Sequence, residues 1–269
     1  MPFVDNNGVK IHYEVEGQGP PLVLQHGFGS GIYNWTERGD YLKALSKDYR
    51  LILVEARGHA GSDKPHNLAD YRADVIAKDY AAILDDLKIK QAMYFGYSLG
   101  AIIGFKAVAR YTLPRFYAMV LGGGSALGSR SEAEKKELTL RLAGLQLAVD
   151  KGMDAYIVNF YEKTYGPMEK TARERMLKND PEALLSFRKA IEEWPFGADI
   201  LPSINIPLFV FAGEADPRFP TIKECVSLIP GVTFVSFPGL NHTQCFEHSE
   251  LVLPHIQKFL AAVNKKGRF

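Results

Sequence analysis

Ser98 is the side chain of this chain best suited to covalent chemistry, because glycines two places before and two places after it mark a very tight turn. The pattern Gly96-Tyr97-Ser98-Leu99-Gly100 follows the apolar run 92–95 and precedes a helical pattern that contains no proline before Pro114. A Cβ at either glycine would collide with the crowded backbone of such a turn. The spacing therefore predicts a strand, a sharp turn and a helix, with the serine hydroxyl presented at the turn.

A nucleophilic serine needs two further groups. Its hydroxyl is barely ionised at neutral pH, so a base must take its proton and an acid must orient that base. Asp216 follows the apolar run 207–212, and His242 follows the run 233–237. Because binding groups collect beyond the carboxyl ends of parallel strands, we expect Ser98, Asp216 and His242 to lie close together.

The acid and the nucleophile each have an alternative. Glu214 lies two residues before Asp216 and is a competing acid, while Asp216 itself could merely cap the helix that follows it. Cys245 lies three residues after His242. A cysteine nucleophile would need a base of its own, so we interpret Cys245 as a buried packing residue.

The base is selected from seven histidines. His242 follows a predicted core strand at the expected edge of the sheet, which four of the other histidines do not. Those four lie in the N-terminal hairpin, in polar surroundings or in the last helix, and these are His12, His66, His248 and His255.

The elements that must position these residues alternate between strand-like and helical patterns, which predicts an α/β fold with a mostly parallel, doubly wound sheet. An N-terminal hairpin is expected around Asn7-Gly8. Buried strands are expected at 22–25, 51–54, 92–95, 118–121, 207–212 and 233–237. Helices are expected near 35–46, 70–87, 221–228 and 250–263.

The segment 126–198 differs from the rest because it has no strand-like run. One helical pattern opens at Ser131 with Glu134 in a capping box, and another opens at Asp180-Pro181. We predict a small helical cap at 126–198, inserted after the strand that ends near Leu121. The core would then consist of 1–125 and 199–269.

Charge and cysteine content exclude several classes of function. Lys and Arg number 32 against 31 for Asp and Glu, so the net charge of +1 offers no basic stripe for nucleic acid and no polybasic membrane anchor. Two cysteines, Cys225 and Cys245, are too few for a disulfide framework and suit a reducing compartment. No signal-peptide pattern or membrane-spanning apolar run is present. We therefore expect a cytoplasmic protein with neither nucleic-acid nor membrane partners.

Together these motifs resemble the α/β-hydrolase superfamily, and specifically its Ser-Asp-His esterase, lactonase and haloperoxidase-like branch. The resemblance covers nearly the whole chain outside the cap. It implies that Ser98 is the nucleophile, His242 the general base and Asp216 the orienting acid. The segment His26-Gly27-Phe28-Gly29 matches the family's oxyanion loop. The backbone N–H groups of Phe28 and Leu99 are thereby implied to form the oxyanion hole.

Segment 55–65 resembles a structural turn of the same family, with two departures. Glu55 stands where the family usually has aspartate, and Ala60 stands where it usually has glycine. His26 and His59 fall in turns that the family uses structurally, so the resemblance implies scaffold roles for both. We expect the departures to leave the chemistry intact.

The resemblance implies a serine hydrolase that cleaves a carboxylic ester bond through an acyl-enzyme, with no metal or organic cofactor. Serine at position 98 excludes the dehalogenase and epoxide hydrolase chemistries that use an aspartate nucleophile. Lactonase, perhydrolase, carbon–carbon hydrolase and cofactor-free lyase activities use the same constellation and stay open. So does a small-molecule receptor with slow turnover. A pocket lined by Phe28 and cap aromatics should prefer small, largely apolar ester or lactone substrates. The sequence does not give the oligomeric state.

Overall fold

The structure is a computed structural model that describes residues 2–128 and 131–266. The parts of the predicted core and cap at 1, 129–130 and 267–269 lie outside the described residues. Eight strands are formed within the described ranges: β1 Phe3–Asn6, β2 Val9–Glu16, β3 Pro21–Gln25, β4 Arg50–Val54, β5 Ala92–Tyr97, β6 Phe116–Gly122, β7 Leu208–Gly213 and β8 Thr233–Phe237.

The helices lie mostly between these strands. Those before β7 are α1 Tyr33–Glu37, α2 Tyr41–Leu45, α3 Ala73–Asp86, α4 Leu99–Ile103, α5 Glu132–Lys151, α6 Met153–Tyr156, α7 Glu162–Tyr165, α8 Lys170–Met176 and α9 Pro181–Glu193. Those after it are α10 Phe219–Ser227, α11 His242–Glu247 and α12 Ser249–Lys266. Two π-helical stretches continue α4 and α6, at Gly104–Thr112 and Ile157–Tyr161. Short 3-10 turns lie at Leu68–Tyr71, Leu113–Arg115, Gly197–Asp199 and Leu201–Ser203.

The strands form one sheet in the order β1-β2-β4-β3-β5-β6-β7-β8. The pairs β1–β2 and β2–β4 are antiparallel, and every pair from β4–β3 to β7–β8 is parallel. Alternate residues of the central strands enter different clusters: Val23 and Ile52 pack with α3, whereas Leu24 and Leu51 pack with α12. Helices therefore cover both faces, and the predicted doubly wound α/β fold is confirmed.

The N-terminal hairpin forms as its sequence predicts. Asn7 and Gly8 both adopt positive φ angles, 56° and 83°, which a two-residue turn of the I′ type requires and which these residue types tolerate. The hairpin pairs Asn6 with Val9 and continues to Phe3 opposite His12.

Two predicted helices differ from the observed ones, and one observed helix was not predicted. The single helix expected near 35–46 is two short helices, α1 and α2, because Gly39 between them has a φ of 72° that a helix does not accept. The helix expected from Asp70 begins at Ala73, after a 3-10 turn that Asn67 caps through its side chain. Helix α11, just before α12, is absent from the sequence-based expectation.

The segment predicted as a cap contains α5 to α9 and, within its described residues, no strand. Ser131 and Glu134 form the predicted capping box at the start of α5, and the Asp180 side chain caps α9. Tyr156 and Phe160 are buried in a cluster that belongs to this segment, with Leu145 and Leu184. Phe28 of the core packs against the same cluster. The division of the chain into two domains stays a prediction.

The turn at 55–65 shows what its two unusual residues do. The buried Glu55 carboxylate accepts hydrogen bonds from the backbone N–H groups of Gly61 (2.6 Å) and Ile32 (3.2 Å), and contacts His12 Nδ1 at 2.9 Å. It thereby ties the turn to the segment before α1. Ala60 has a φ of 42°, in the region that favours glycine.

We expect Ala60→Gly to raise the free energy of unfolding by about 0.5–1 kcal/mol, because relief of the left-handed strain exceeds the entropy that glycine adds to the unfolded chain. Denaturant unfolding of the two proteins measures the difference. Ala69→Gly, in a 3-10 turn without a positive φ, is the matched control and should be destabilising. A loss of stability in Ala60→Gly would contradict the strain argument.

Within residues 2–128 and 131–266, no helix is long and apolar enough to cross a membrane.

Candidate active site

Ser98 lies at the junction of β5 and α4 in the predicted sharp turn. Its φ and ψ of 56° and −110° are unusual for a residue with a side chain, and its N–H donates to the Gly122 oxygen at 2.8 Å. A Cβ at Gly96 would lie 2.3 Å from backbone atoms of Gly100, and one at Gly100 would lie 2.3 Å from the Gln25 oxygen. Both glycines are therefore required by close backbone approach, and the strained turn holds the serine hydroxyl out from the sheet edge.

The structure brings Ser98 together with the two residues proposed as its partners. His242 Nε2 lies 3.0 Å from Ser98 Oγ, and His242 Nδ1 lies 2.6 Å from Asp216 Oδ2. Asp216 is 2% exposed. A carboxylate only accepts hydrogen bonds, so Nδ1 carries the proton and Nε2 presents its lone pair to the serine hydroxyl. This tautomer is the one that can remove a proton from Ser98.

Local sequence explains how the acid and the histidine meet. A Cβ at Gly213, the last residue of β7, would lie 2.1 Å from the Leu240 oxygen, so the loops after β7 and β8 approach closely there. The Asn241 side chain caps α11 by accepting a hydrogen bond from the Gln244 backbone N–H at 2.9 Å. The Gln244 side-chain oxygen in turn accepts a hydrogen bond from the Asn241 backbone N–H. This capping box starts the helix at His242 and fixes its backbone beside Asp216.

Two opposing effects set the pKa of Asp216. Burial alone would raise it, but the hydrogen bond with His242, the charge of His242 and the Arg218 guanidinium outweigh burial and leave the pKa below its usual value. Arg218 also donates from its backbone N–H to Asp216 Oδ1 at 3.0 Å. Asp216 therefore stays ionised and can stabilise a positive charge that forms on His242.

The pKa of His242 is lowered from its ordinary value. Burial is the main cause and the positive charge of Arg218 is the second; the hydrogen bond and charge of Asp216 oppose them, and Arg141 adds to the lowering. The imidazole is therefore neutral at pH 7 and available as a base.

Tyr97 and Gly123 also position His242, and neither was singled out from the sequence. The Tyr97 hydroxyl donates to the His242 backbone oxygen at 2.5 Å, and the two rings lie 5.3 Å apart. Burial raises the Tyr97 pKa well above its usual value, so the hydroxyl remains a donor. A Cβ at Gly123 would lie 3.0 Å from His242 Cε1 and would crowd the imidazole, and the φ of 63° at this position also favours glycine. These contacts join elements far apart in the chain, and no sequence pattern marks them.

The competing acid and thiol have other partners. Glu214 is exposed and accepts a hydrogen bond from Ser236 Oγ at 2.7 Å. Cys245 is fully buried, and burial raises its thiol pKa to about 12. The thiol is therefore neutral, as expected of a packing residue. Among the described residues no group of three or more His, Cys, Asp and Glu side chains is placed to hold a metal ion.

His26, the first residue of the segment 26–29, and His59, whose ring lies 5.3 Å away, are fully buried and serve the scaffold. His26 Nδ1 donates to the Gly27 oxygen at 2.7 Å and its Nε2 accepts from the Ala56 N–H at 3.1 Å, which fixes a neutral tautomer. His59 packs edge-on against Phe28 at 5.5 Å. Burial lowers the pKa of both histidines, in agreement with neutral packing groups.

Of the two residues proposed for an oxyanion hole, Leu99 directly follows Ser98 in the chain, and Phe28 follows Gly27, which lies close to Ser98. Leu99 is the first residue of α4, where a helix leaves its N–H groups without an intrahelical acceptor. Gly27, which precedes Phe28, is so close that a Cβ there would lie 3.5 Å from Ser98 Cβ. The oxyanion loop therefore passes directly beside the serine. The role of Phe28 and Leu99 as donors stays a prediction.

Packing contacts and a charged group surround the residues expected to line an apolar pocket. Several cap aromatics are used in packing: Phe187, for example, stacks on Tyr71 at 5.0 Å and is fully buried. The Arg141 guanidinium lies 5.7 Å from the centre of the Phe28 ring. Arginine is common on any helix surface, so its sequence position gave no signal of this placement.

Comparisons with known proteins find relatives that share this fold. A family model described as the alpha/beta hydrolase fold matches residues 20–138. The 3-oxoadipate enol-lactonase 2 of Acinetobacter baylyi is 27% identical over 216 residues, which cover 78% of this chain and 77% of that protein. Epoxide hydrolase 3 of Siraitia grosvenorii is 34% identical over 102 residues, which cover 38% of this chain and 32% of that protein.

A solved structure shares the whole architecture. It comes from work on carboxylesterases of Nitrososphaera gargenis and matches with a TM-score of 0.83, covering 99% of this chain and 100% of that chain. At 24% sequence identity this likeness shows the fold alone.

Proposed function

We propose that this chain, a hydrolase of the α/β-hydrolase superfamily, cleaves carboxylic ester bonds with Ser98 as its nucleophile. One observation carries the proposal. The hydrogen-bonded series Asp216–His242–Ser98, with spacings of 2.6 and 3.0 Å, ends on a serine held at a strained turn. Such an arrangement gives a hydroxyl the base and the orienting acid that it needs to attack a carbonyl.

In the proposed reaction each residue of the site has its own role. His242 Nε2 takes the proton from Ser98 Oγ as the oxygen attacks the ester carbonyl, and Asp216 stabilises the imidazolium that results. The N–H groups of Phe28 and Leu99 stabilise the oxyanion, where loss of one such donor typically costs about 3 kcal/mol. His242 then gives the proton to the leaving alcohol. Water, deprotonated by the same nitrogen, then attacks the acyl carbon. The bond between that carbon and Ser98 Oγ breaks, the acid is released, and His242 returns the proton to Ser98 Oγ.

Hydrolysis of p-nitrophenyl esters of graded acyl length, together with labelling by a fluorophosphonate, tests the proposal. We expect turnover of at least one ester and a single label on the peptide that contains Ser98. Absence of both turnover and label, in a protein shown to be folded, would overturn the proposal.

A lactonase is the second candidate, because a relative named enol-lactonase aligns over 78% of this chain. The same acylation opens a lactone ring, and the tethered alcohol then leaves only after deacylation. Including lactones in the substrate panel separates the two, since a lactonase would give a larger kcat/KM for lactones than for open esters of equal acyl length.

We expect kcat/KM to fall with decreasing pH around a midpoint below ~6.5, the unperturbed histidine value. The reason is that the base must be neutral, while burial and the charge of Arg218 lower the His242 pKa. Activity is therefore present above that pKa and lost as the pH falls through it. A profile of kcat/KM for a neutral ester from pH 4 to 8 measures the midpoint. A flat profile, or a midpoint above ~6.5, would contradict the assignment.

A further inference from the structure

Two guanidinium groups meet at the boundary between the cap segment and the core, beside the site described above, and a third, that of Arg188, pairs with Glu192 at 2.7 Å and is near enough for its charge to interact with them. Arg141 lies on α5, Arg188 on α9 and Arg218 on the loop between β7 and α10. Their side chains are only 17%, 14% and 23% exposed, respectively. Charges this well covered interact more strongly than charges on an open surface.

Glu137 lies between two of them. Its Oε1 accepts from Arg141 at 2.8 Å and from Arg218 at 2.7 Å, so one carboxylate oxygen is shared by two guanidinium groups. The Glu137 side chain is 17% exposed. The fork of donors on arginine matches a carboxylate well, and here two forks converge on one such group.

The cluster reaches both ends of the reactive site. Arg218 donates to Asp216 Oδ1 from its backbone N–H at 3.0 Å and from its guanidinium at 3.3 Å. Arg141 lies 5.7 Å from the ring centre of Phe28, the residue whose N–H faces the oxyanion position in the proposed mechanism. A group bound between Arg141 and Arg218 would therefore lie next to Asp216 and the Phe28 ring, both of which belong to residues of the proposed site.

The local electrostatic field agrees with a site for an anion. The pKa of Arg188 is lowered to about 10, mainly by burial. The charges of Arg141 and Arg218 also lower it, whereas those of Glu192 and Glu137 raise it. The same two arginines contribute to the lowered pKa of His242 even though Asp216 is its direct partner. Burial penalises a charge of either sign, so it is only the contribution of the Arg141 and Arg218 charges that favours a bound anion over a bound cation here.

We propose that Arg141 and Arg218, supported by Arg188, bind a carboxylate of the substrate, and that Glu137 occupies this position in the unliganded protein. The inference rests on the proposed ester hydrolysis and narrows it: the substrate is an ester or lactone that carries a carboxylate on its acyl or alcohol part. This replaces the largely apolar substrate that the sequence suggested.

A purely structural role for the cluster makes a different prediction. If Glu137 only clamps the cap segment to the core, removing either member of the Arg141–Glu137 pair should have the same effect on every substrate. If the cluster selects a carboxylate, the two substitutions should change the preference for a carboxylate-bearing substrate in opposite directions. Arg141→Gln deletes a positive charge that attracts the carboxylate, and Glu137→Gln deletes the negative charge that competes with it.

The test compares mono-p-nitrophenyl adipate with p-nitrophenyl hexanoate, which differ in a carboxylate in place of a terminal methyl group. We expect wild type to favour the adipate monoester in kcat/KM. Arg141→Gln should lower the ratio of the two values by about 10-fold, the effect of a hydrogen bond to a charged group, and Glu137→Gln should raise it. Arg173→Gln removes a cap arginine that pairs with Asp154 and Glu162 instead, and should leave the ratio unchanged.

A binding measurement keeps the inference testable without turnover. Adipate, but not the neutral diamide adipamide, should raise the melting temperature of wild type, and the rise should be smaller in Arg141→Gln. An arginine-dependent rise without hydrolysis of any ester would overturn the proposed function and support the carboxylate site. The other outcome is ester hydrolysis in which the ratio of kcat/KM for the adipate monoester to kcat/KM for the hexanoate is the same in wild type, Arg141→Gln and Glu137→Gln. That result would support the proposed function and overturn this inference.

Discussion

Replacing Ser98 by alanine is expected to lower kcat/KM for p-nitrophenyl esters by about 10⁴-fold or more while the protein remains folded. The hydroxyl oxygen is the only atom lost, and His242 Nε2, 3.0 Å away, then has no nucleophile to activate. The backbone should accept the change, because Ser98 already has a positive φ of 56° and alanine adds no further steric demand. Ester hydrolysis, fluorophosphonate labelling and far-UV circular dichroism measure the three parts of this expectation.

The matched control for this variant is Ser227→Ala. Ser227 is exposed on α10, where its hydroxyl bonds only to the Glu224 backbone oxygen at 2.7 Å among the contacts described. Its activity and labelling should equal those of wild type. Ester hydrolysis that survives undiminished in Ser98→Ala would show that another group is the nucleophile.

Asp216→Asn is expected to lower kcat for the same esters by about 10⁴-fold with little change in fold. Asp216 Oδ1 accepts from the backbone N–H and guanidinium of Arg218, while Oδ2 accepts from His242 Nδ1. An asparagine must keep its oxygen towards the donors of Arg218, so its NH₂ group faces His242. Nδ1 then becomes an acceptor and Nε2 carries the proton. In that tautomer the imidazole cannot take the proton of Ser98.

A variant of Glu214 tests whether Asp216 or Glu214 is the acid that orients His242. Glu214→Gln removes the charge of the exposed carboxylate that contacts Ser236 and should retain nearly all activity. A large loss of kcat in Glu214→Gln, with activity kept in Asp216→Asn, would reverse the assignment. The ordering of the two effects is therefore decisive even if their magnitudes differ from those expected.

Most of the scaffold could be predicted from the sequence because its signals are local. Apolar runs of strand length, the Asn7-Gly8 turn and the caps at Ser131 and Asp180 each depend on residues a few places apart. The misjudged helix near 35–46 shows where local signals end. Gly39 has a positive φ. The next residue, Asp40, donates from its N–H to the Ser249 hydroxyl at 2.9 Å, and these two residues are 209 positions apart in the sequence.

The candidate site likewise has residues that local sequence signals identify and contacts that they do not. Ser98, Asp216 and His242 were recognisable because each follows a strand end, and a parallel sheet places such ends at one edge. The sequence by itself thus determined the fold class and these candidates. Only the tertiary structure placed Tyr97 against the His242 backbone and Arg218 against Glu137, 81 residues away. The reason is physical: periodicity and turn chemistry act over a few residues, whereas the partner of a buried charge is chosen by packing between distant elements.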